Sequence, residues 1–383
     1  MATDTQPTAG PLADLRVIDL ATVFAGPGAA RYMADFGADV IKVERPGDGD
    51  TARSIGWRHV DGETLWWKLV GRNKRTIALD LKDRADLALM QDLCAEADVL
   101  VENFRPGTLE RLGLVPEELW KRNPRLVITR VTGFGQDGPY SHKPGFATQA
   151  EALSGYAAIS GEPDGRPLLP PVALTDEVAA LAAAFATMVA VHSGVGQEVD
   201  VSLIESMLQM MGPLVALYGL TGETQPRLGA GIPYTVPRNT YRTSDGHWVA
   251  ISTSAASVAA RLLELVGLGD DPELATFEGR AAQRKRIDAA VSQWMAARTR
   301  DEALAELDEA HAAAAPVHDM AAIYADEHFA ARGAIAEVDG VPMQQLIARL
   351  SATPGSVRWA GRPVDADGES IRATHWTPTA HDH

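Results

Sequence analysis

Short apolar runs alternate with amphipathic segments through the first 140 residues. Leu15–Leu20 and Val40–Glu44 are two such runs, separated by a glycine-rich turn and a helical segment. Apolar runs of this length, bounded by turn residues, are typical of strands. The alternation continues through the strand-like segments RTIALDL, DVLVENF and RLVITRV and the helical segments RADLALMQDLCAEA, GTLERLGL and PEELWKRN. Strands that alternate with helices predict an α/β fold with a parallel sheet covered on both faces.

The pattern changes after residue 145. We predict helices over residues 146–160 and 176–192, followed by a continuous apolar helical stretch in VDVSLIESMLQMMGPLVALYGL. The Pro- and Gly-rich segment TGETQPRLGAGIPYTVP then indicates a domain boundary. Beyond it, NTYRTSDGHWVAIST predicts a hairpin, and helices rich in Ala, Leu and Glu complete a smaller α+β unit. A chain of 383 residues exceeds what one compact core usually holds, so two domains are expected.

Charge is distributed unevenly along the chain and limits the possible partners. The net charge of −16 argues against nucleic acid or an anionic membrane as a partner. Residues 1–150 hold 19 basic and 21 acidic side chains, whereas residues 151–383 hold 16 and 30. An anionic ligand is therefore expected to place its charged end against the first segment.

Cysteine and histidine usage excludes several kinds of site. Cys94 is the single cysteine, so an intrachain disulfide and a multi-thiolate metal site are excluded. No two histidines are spaced i, i+4, and no metal is expected. The longest apolar run, Val178–Val191, has 14 residues, fewer than the ~20 that span a bilayer. The first ten residues lack the basic and apolar regions of a secretory signal, so a cytoplasmic location is expected.

A glycine-rich turn follows the first predicted strand. Gly26 and Gly28, with Glu44 at the end of the next strand, resemble the dinucleotide-binding fingerprint, which makes an NAD-dependent oxidoreductase one candidate. Two residues argue against it: Arg31 occupies the third glycine position, and Pro27 lacks an amide that could face a phosphate. A turn that only reverses the chain also explains the glycines.

Asp176 and Glu177 precede an alanine-rich helical segment. Asp is a preferred N-cap, and the helix dipole stabilises acids in the first turn, each effect by about 0.3–2 kcal/mol. An N-cap role therefore accounts for Asp176 without any function. A second interpretation is a nucleophile, because residues 151–240 contain only three basic side chains and the adjoining residues are small and apolar. A poorly solvated carboxylate is more basic, which suits nucleophilic attack.

Basic residues fall near the predicted strand ends and turns. Open parallel sheets bind ligands outside the carboxyl ends of their strands, and a ligand with several phosphates needs such cations. A solvated surface is the alternative for most of them. The candidates are Lys42, Arg45, Arg53, Arg58, Lys68, Arg72, Lys74, Arg75, Lys82, Arg105 and Arg111. The sequence contains neither a Gly-x-Ser-x-Gly elbow nor a Walker-type phosphate loop, which leaves carboxylate chemistry.

Six motifs occur in order along about residues 11–250. They are RVIDLATVFAGPGAARYMADFGADVIKVERPG, NKRTIALDLK, VENFRPGTLERLG, VTGFGQDGPYSHKPGF, LSGYAAISGEPDGRP and GQEVDVSLIESM. In these motifs and their order the chain resembles the class III CoA-transferases, the type that includes the formyl-CoA and carnitine CoA-transferases. Weaker similarity extends to APVHDM and ARG further along the chain.

The resemblance implies a site and a reaction. It implies that Asp176 is the catalytic nucleophile, and that CoA moves from an acyl-CoA donor to a carboxylic acid through an aspartyl anhydride and an aspartyl-CoA thioester. The expected partners are therefore acyl-CoA and small carboxylic acid substrates. The implied contacts to coenzyme A are Phe24, Ala25, Arg45, Leu79, Lys82, Asn103, Phe104, Arg105, Arg111 and Lys143.

The resemblance also implies the domain organisation. A Rossmann-like large domain is expected over residues 1–224, completed by residues 326–383, with a small α+β domain over residues 225–325. Two such chains are expected to interlock as a homodimer.

The sequence departs from the family pattern at two places. Phe146–Ala147 stands where family members often have an aromatic–Asp pair, and the racemase branch has a histidine at the position of Phe146. A 2-methylacyl-CoA racemase therefore lacks its base here and is the alternative rather than the first choice. The run of consecutive glycines of formyl-CoA transferases is absent, which argues against oxalate as acceptor. A CoA-binding protein without turnover is a further alternative.

Overall fold

The structure is a computed structural model that describes residues 10–376. The strands in this range are β1 (Arg16–Asp19), β2 (Asp39–Glu44), β3 (Lys74–Ala78), β4 (Val99–Glu102), β5 (Val127–Thr132), β6 (Glu198–Ser202), β7 (Arg238–Arg242), β8 (Trp248–Ser252), β9 (Ala314–Pro316), β10 (Ile335–Val338) and β11 (Val341–Gln344). The α-helices are α1 (Ala25–Asp35), α2 (Leu65–Val70), α3 (Arg84–Glu96), α4 (Thr108–Arg111), α5 (Pro116–Arg122), α6 (Ala147–Leu153), α7 (Tyr156–Ile159), α8 (Leu174–Ser193), α9 (Leu203–Gln209), α10 (Leu214–Thr221), α11 (Ala256–Leu265), α12 (Phe277–Ala282), α13 (Arg284–Ala296), α14 (Arg300–Glu309), α15 (Met320–Ala325), α16 (Glu327–Ala331) and α17 (Gly368–Thr374).

Strands β1 to β6 form one parallel sheet in the order β3-β2-β1-β4-β5-β6, which confirms the predicted parallel sheet. Alternate residues of the strands face two cores. Ile18 and Leu100 lie in a core with residues of α3 and α5, whereas Val17 and Val99 lie in one with residues of α1 and α8. The order of the strands reverses between β1 and β4, and ligands of such sheets bind at that point, outside the carboxyl ends of the strands.

The sixth strand was not predicted. Residues 198–202 pair in parallel with β5, where a continuous helix was expected. Val199 and Val201 alternate with acidic residues, but this period of two is short and runs directly into an apolar stretch with helical character. That stretch is two helices, α9 and α10, and Pro213 lies between them because proline cannot continue a helix.

The glycines of the first turn serve helix packing. A Cβ on Gly28 would lie 2.9 Å from the Cβ of Ala180 on α8, and one on Gly26 would lie 2.4 Å from that of Ala21. Arg31, at the third glycine position, is also buried, and its Nη2 lies 3.0 Å from a carboxylate oxygen of Glu177. These contacts give the two glycines a packing role, beyond the chain reversal that the sequence suggested, and argue against a phosphate-binding turn.

The chain divides into two compact units. Within the described residues, the larger contains residues 10–154, Pro170–Gly212 and residues 331–376, and the smaller contains Gly155–Leu169 and Pro213–Ala330. These limits differ from the predicted ones at residues 224/225 and 325/326, and residues 155–169 were not expected in the smaller unit. They join it because the Gly229 N–H donates to the Gly161 carbonyl at 3.0 Å, and Arg227 Nη2 donates to the Gly165 carbonyl at 2.9 Å.

The smaller unit is built on a three-stranded sheet in the order β7-β8-β9. β7 and β8 form the predicted hairpin, whereas the edge strand β9 was not predicted. Helices α11, α13 and α14 supply Leu262, Ile287 and Leu307 to the apolar core of this unit.

Helix α8 is longer than the apolar run from which it was predicted. With 20 residues it is long and apolar enough to cross a membrane, so the expectation that no segment reaches that length is wrong. A core helix meets the same criterion, and α8 packs on α1, α6, α9, β5 and β6. Leu181, Phe185 and Val189 nevertheless form an exposed stripe along the helix, with 39%, 73% and 55% exposure.

Candidate active site

Asp176 lies in the first turn of α8 and does not cap it. The helix begins at Leu174, and its N-cap is Ala173, which makes no side-chain capping bond. The N-cap interpretation is therefore wrong, because the backbone becomes helical before the alanine-rich pattern begins. Within residues 10–376 no hydrogen bond or ion pair engages the Asp176 carboxylate. Its oxygens remain available for chemistry.

The Asp176 carboxyl group has a perturbed pKa. Burial, followed by repulsion from Glu151 and Glu177, raises the pKa of Asp176 to about 6. Glu177 is itself engaged, since its Oε2 lies 3.0 Å from Arg31 Nη2 and accepts the Tyr32 hydroxyl at 2.7 Å. Asp176 is thus ionised at neutral pH yet more basic than an ordinary aspartate, as a carboxylate nucleophile requires.

Two cavities open at the carboxyl edge of the parallel sheet. Cavity 1, of about 350 Å³, is lined by the loops after β1, β4 and β5, and Asp176 lies in its wall. Cavity 2, of about 370 Å³, is lined by the loops after β1, β2 and β3. Thr22 and Phe104 line both. The cavities therefore adjoin at the point where the strand order reverses.

Most of the predicted site residues line these two cavities. Those in cavity 1 are Phe24, Ala25, Asn103, Phe104, Arg105, Lys143 and Asp176. Those in cavity 2 are Arg45, Leu79, Lys82 and Phe104. Arg111 lines neither cavity, and its Nη2 donates to Thr108 Oγ1 at 2.6 Å on the exposed side of α4.

The turn after β1 has an unusual backbone conformation. Val23 has a φ of 71°, which β-branched residues rarely adopt. Oδ1 of Asp50 accepts the Val23 N–H at 3.0 Å. The Asn103 side chain accepts the Thr22 N–H at 2.8 Å and donates to the Thr22 carbonyl at 2.6 Å. These bonds hold the turn in place and position the start of α1 in the wall of cavity 1.

Two buried lysines lie beneath this turn. Lys42 Nζ lies 2.8 Å from Asp50 Oδ2, and Lys74 Nζ lies 2.7 Å from Asp19 Oδ2. Burial lowers the pKa of Lys74 to about 8. Burial acts on Lys42 in the same direction, but Asp19 and Asp50 outweigh it and raise the pKa. Both ammonium groups are paired inside the fold, and Lys42, which contributes to the lining of cavity 2, is already bonded to Asp50.

Other predicted ligand-binding cations are also paired inside the fold. Arg53, Arg72 and Arg75 lie 2.7, 2.5 and 2.7 Å from carboxylate oxygens of Glu44, Asp35 and Asp39 respectively. The ligand and solvated-surface interpretations are both wrong for these side chains. Arg45, Lys82 and Arg105 are exposed and line the cavities, so they carry the positive charge that a ligand meets.

A buried acid supports the loop after β4. Oε2 of Glu102 accepts the Phe104 N–H at 2.6 Å, and its Oε1 lies 3.5 Å from Arg130 Nε. Burial raises the pKa of Glu102 to about 7 against the opposing effects of these two partners. The loop that supplies Asn103 and Arg105 to cavity 1 is therefore held by a hydrogen bond to Glu102.

The loop between β5 and α6 lines another part of cavity 1. Gly133 and Gly145 meet at its base, where a Cβ on Gly133 would lie 2.6 Å from the Gly145 Cα. Nζ of Lys143 lies 3.7 Å from the centre of the Tyr140 ring, and that ring packs edge-on against Phe134. A cation over an aromatic face is stabilised, so Tyr140 holds the Lys143 ammonium in position.

The structure adds site residues that the sequence analysis missed. Asp50 holds the Val23 turn, and Glu151, on α6, accepts a hydrogen bond from the Thr175 hydroxyl at 2.9 Å. Neither residue has a sequence signal, because each acts on a partner distant along the chain. Phe146 and Ala147 both line cavity 1, and none of the described residues that line it is a histidine.

The arrangement suits attack by a carboxylate on a carbonyl group. An ionised, unbonded carboxylate lies in a partly apolar cavity, and exposed cations line that cavity and the adjoining one. Within residues 10–376 no group of three or more His, Cys, Asp or Glu side chains is suited to hold a metal ion.

Residues 12–367 match the family model described as CoA-transferase family III. The chain belongs to this family and is an acyl-CoA:carboxylate CoA-transferase. It is 40% identical to a succinyl-CoA–D-citramalate CoA-transferase of Chloroflexus aurantiacus over 94% of this chain and 93% of that protein. It is 38% identical to the beta subunit of a succinyl-CoA–L-malate CoA-transferase of the same organism, over 94% and 93% of the two chains.

A solved structure has the same fold. The crystal structure of a CAIB/BAIF family protein from Brucella suis is similar with a TM-score of 0.84 and 32% identity, covering 95% of this chain and 99% of that one. The recognition of the family from the six motifs is thereby confirmed.

Proposed function

We propose that this protein transfers CoA from a dicarboxylic acyl-CoA to a small carboxylic acid, with Asp176 as the nucleophile. The observation that carries the proposal is the unbonded Asp176 carboxylate in the wall of cavity 1, whose pKa is raised mainly by burial. Such a group is ionised at neutral pH and is poorly solvated, so it attacks a carbonyl carbon without first losing a tight hydration shell.

The proposed reaction has two mirrored halves. A carboxylate oxygen of Asp176 attacks the thioester carbonyl, the C–S bond breaks, and the CoA thiolate leaves an acyl-aspartyl anhydride. The thiolate then attacks the aspartyl carbonyl, the donor acid leaves as its carboxylate, and an aspartyl-CoA thioester remains. The acceptor carboxylate reverses these steps, which returns Asp176 to its carboxylate form and releases the acceptor as a CoA ester. No proton is gained or lost over the cycle.

Cavity 2 has the composition that a nucleotide requires. Leu20, Val43 and Leu79 give it an apolar wall, and the exposed cations Arg45 and Lys82 line it as well. An adenine ring fits such a wall, and phosphates pair with such cations. Because the cavities share Thr22 and Phe104, a molecule bound in cavity 2 can reach toward Asp176 in cavity 1. Nucleotide binding then contributes to the orientation of the thioester.

The similar proteins suggest the substrate class. Both named relatives use succinyl-CoA as donor, and their acceptors, D-citramalate and L-malate, are hydroxydicarboxylic acids. We propose succinyl-CoA as the donor and a short hydroxydicarboxylic acid as the acceptor here.

An exchange assay tests the function. Purified protein is incubated with succinyl-CoA and, in turn, L-malate, D-citramalate, glutarate, oxalate or acetate, and the new CoA ester is measured by mass spectrometry. We expect transfer to a hydroxydicarboxylic acid and its loss in Asp176→Asn. Full activity of Asp176→Asn, or binding of NADH without binding of CoA, contradicts the proposal.

We also propose an interlocked homodimer in the cytoplasm. The stripe of Leu181, Phe185 and Val189 on α8 is apolar and exposed in the single chain, which supports burial against a second copy. The buried Cys94 thiol is compatible with a reducing compartment. Cell fractionation tests the location.

A further inference from the structure

A second acid lies behind the catalytic position. Glu151, on α6, is 4% exposed, and its Oε1 accepts the hydroxyl of Thr175 at 2.9 Å. Thr175 is fully buried and immediately precedes Asp176 on α8. The two acids are therefore linked through one side chain and one peptide unit, although they are 25 positions apart in the sequence.

The burial of Glu151 has no structural explanation in its surroundings. Within residues 10–376 no cation pairs with its carboxylate, and the hydroxyl of Thr175 is the single side-chain group bonded to it. Burying an uncompensated carboxylate is costly, and a glutamine would make the same bond to Thr175 without a charge. A buried carboxylate that costs stability and lies close to a reactive side chain is typical of active sites.

The surroundings of Asp176 contain other titratable groups, and the adjacent Glu177 is paired. Glu177 is bonded to Arg31 and Tyr32 from α1. The remaining titratable side chains on α8 and on the elements packed against it are Asp35, Arg130, His192, Glu198, Asp200 and Glu205. The two acids that raise the pKa of Asp176, after burial, are Glu151 and then Glu177.

We propose that Glu151 is a positioning residue of the transferase, which acts through Thr175 to orient the Asp176 carboxylate and to keep it a strong nucleophile. The charge of Glu151 disfavours the approach of a second negative charge, so it destabilises the free Asp176 carboxylate. That repulsion is relieved when Asp176 is acylated and becomes neutral. The bond to Thr175 fixes the start of α8 relative to α6, the helix whose first residue, Ala147, lines cavity 1. The inference rests on the proposed function of Asp176.

A direct titration tests the charge effect without turnover. Protein with ¹³C-labelled aspartate carboxyls is titrated by NMR, and the Asp176 signal is assigned by its absence in Asp176→Asn. We expect the midpoint of Asp176 to fall by about one pH unit in Glu151→Gln and by less in Glu177→Gln, whose charge is already paired. An unchanged midpoint in a folded Glu151→Gln protein overturns the inference, whether or not the protein transfers CoA.

Kinetics separate orientation from charge. In Glu151→Gln the acid limb of the acylation rate should move to lower pH, with KM for succinyl-CoA unchanged. Thr175→Val, which removes the link, should lower kcat by about one order of magnitude without moving that limb downward, and Thr175→Ser should restore it. If both Thr175 variants transfer CoA like the unaltered protein, Glu151 has no positioning role. If Glu151 had only a structural role, Glu151→Gln would lower thermal stability and leave the pH profile unchanged.

Discussion

The carboxylate of Asp50 holds the backbone of Val23 in a left-handed conformation. Its Oδ1 accepts the Val23 N–H at 3.0 Å, and the φ of Val23 is 71°. Val23 lines cavity 1, so the strain lies where the proposed thioester would bind. Strained backbone of this kind persists only where the surrounding structure over-determines it.

The strain at Val23 predicts that glycine is tolerated better than alanine at this position. Val23→Ala removes the γ-methyl groups and keeps Cβ, whereas Val23→Gly removes Cβ as well, and only glycine adopts positive φ without a steric cost. We expect Val23→Gly to be more stable than Val23→Ala by about 1–2 kcal/mol, measured by urea unfolding. Equal stability, or a more stable alanine variant, would show that the turn is unstrained.

The buried pair of Lys42 and Asp50 should be costly to break. Asp50→Ala leaves the buried Lys42 ammonium with Asp19, 3.7 Å away and already bonded to Lys74, as its remaining ion-pair partner. We expect a loss of about 3–5 kcal/mol in the free energy of unfolding. The exposed pair of Lys121 and Glu118, 2.6 Å apart against 2.8 Å for Lys42 and Asp50, is the matched control. Glu118→Ala should cost less than about 1 kcal/mol. A similar loss in both variants contradicts the assigned role of the Asp50 pair.

Asp176 should lower stability at neutral pH. Its pKa of about 6 in the folded protein lies above the ~3.9 of an unfolded aspartate, so the folded state binds the proton more tightly. Stability from this group is present below about pH 4 and is lost as the pH rises through 6. We expect Asp176→Asn to be more stable than the unaltered protein by about 1–2 kcal/mol near pH 8, with little difference near pH 4. A destabilised asparagine variant at pH 8 would contradict the buried carboxylate.

Tyr140 should affect the substrate through Lys143. Its ring lies under the Lys143 ammonium, so Tyr140→Ala releases that cation. We expect KM for acyl-CoA to rise about 3- to 10-fold with little change in kcat. Tyr140→Phe keeps the ring and should behave like the unaltered protein, and an equal effect of both variants would exclude the ring–cation contact.

The exposed stripe on α8 predicts the oligomeric state. Phe185→Glu places a charge in the proposed interface and should reduce the mass measured by light scattering from that of a dimer toward that of one chain. Val60, which is 96% exposed outside this stripe, provides the control. A dimer that survives Phe185→Glu, or is lost equally in Val60→Glu, argues against this surface.

The periodicity of the sequence was sufficient for most of the fold. Five strands of the parallel sheet were predicted because each is a short apolar run flanked by turn residues and followed by an amphipathic segment. β6 was missed because its outward positions are acidic and an apolar helix follows directly. The start of α8 lies earlier than predicted because its N-cap, Ala173, has no capping side chain, whereas Asp176 in the first turn is a preferred N-cap residue.

The site was predictable only where motif order marked it. Asp176 and the cavity cations follow from the resemblance, whereas composition could not separate Arg45, which is exposed, from Lys42, which is buried and paired. That distinction depends on contacts such as Lys74 with Asp19, 55 residues apart. The role of Glu151 could not be predicted for the same reason, because its hydrogen-bond partner, Thr175, lies on another helix.

Covalent trapping tests the central claim most directly. The protein is mixed with succinyl-CoA, quenched with hydroxylamine, digested and analysed by mass spectrometry. We predict a hydroxamate on the peptide that contains Asp176, and none in Asp176→Asn. Transfer of CoA that proceeds while this peptide stays unmodified, or a hydroxamate on another acid, would contradict the account.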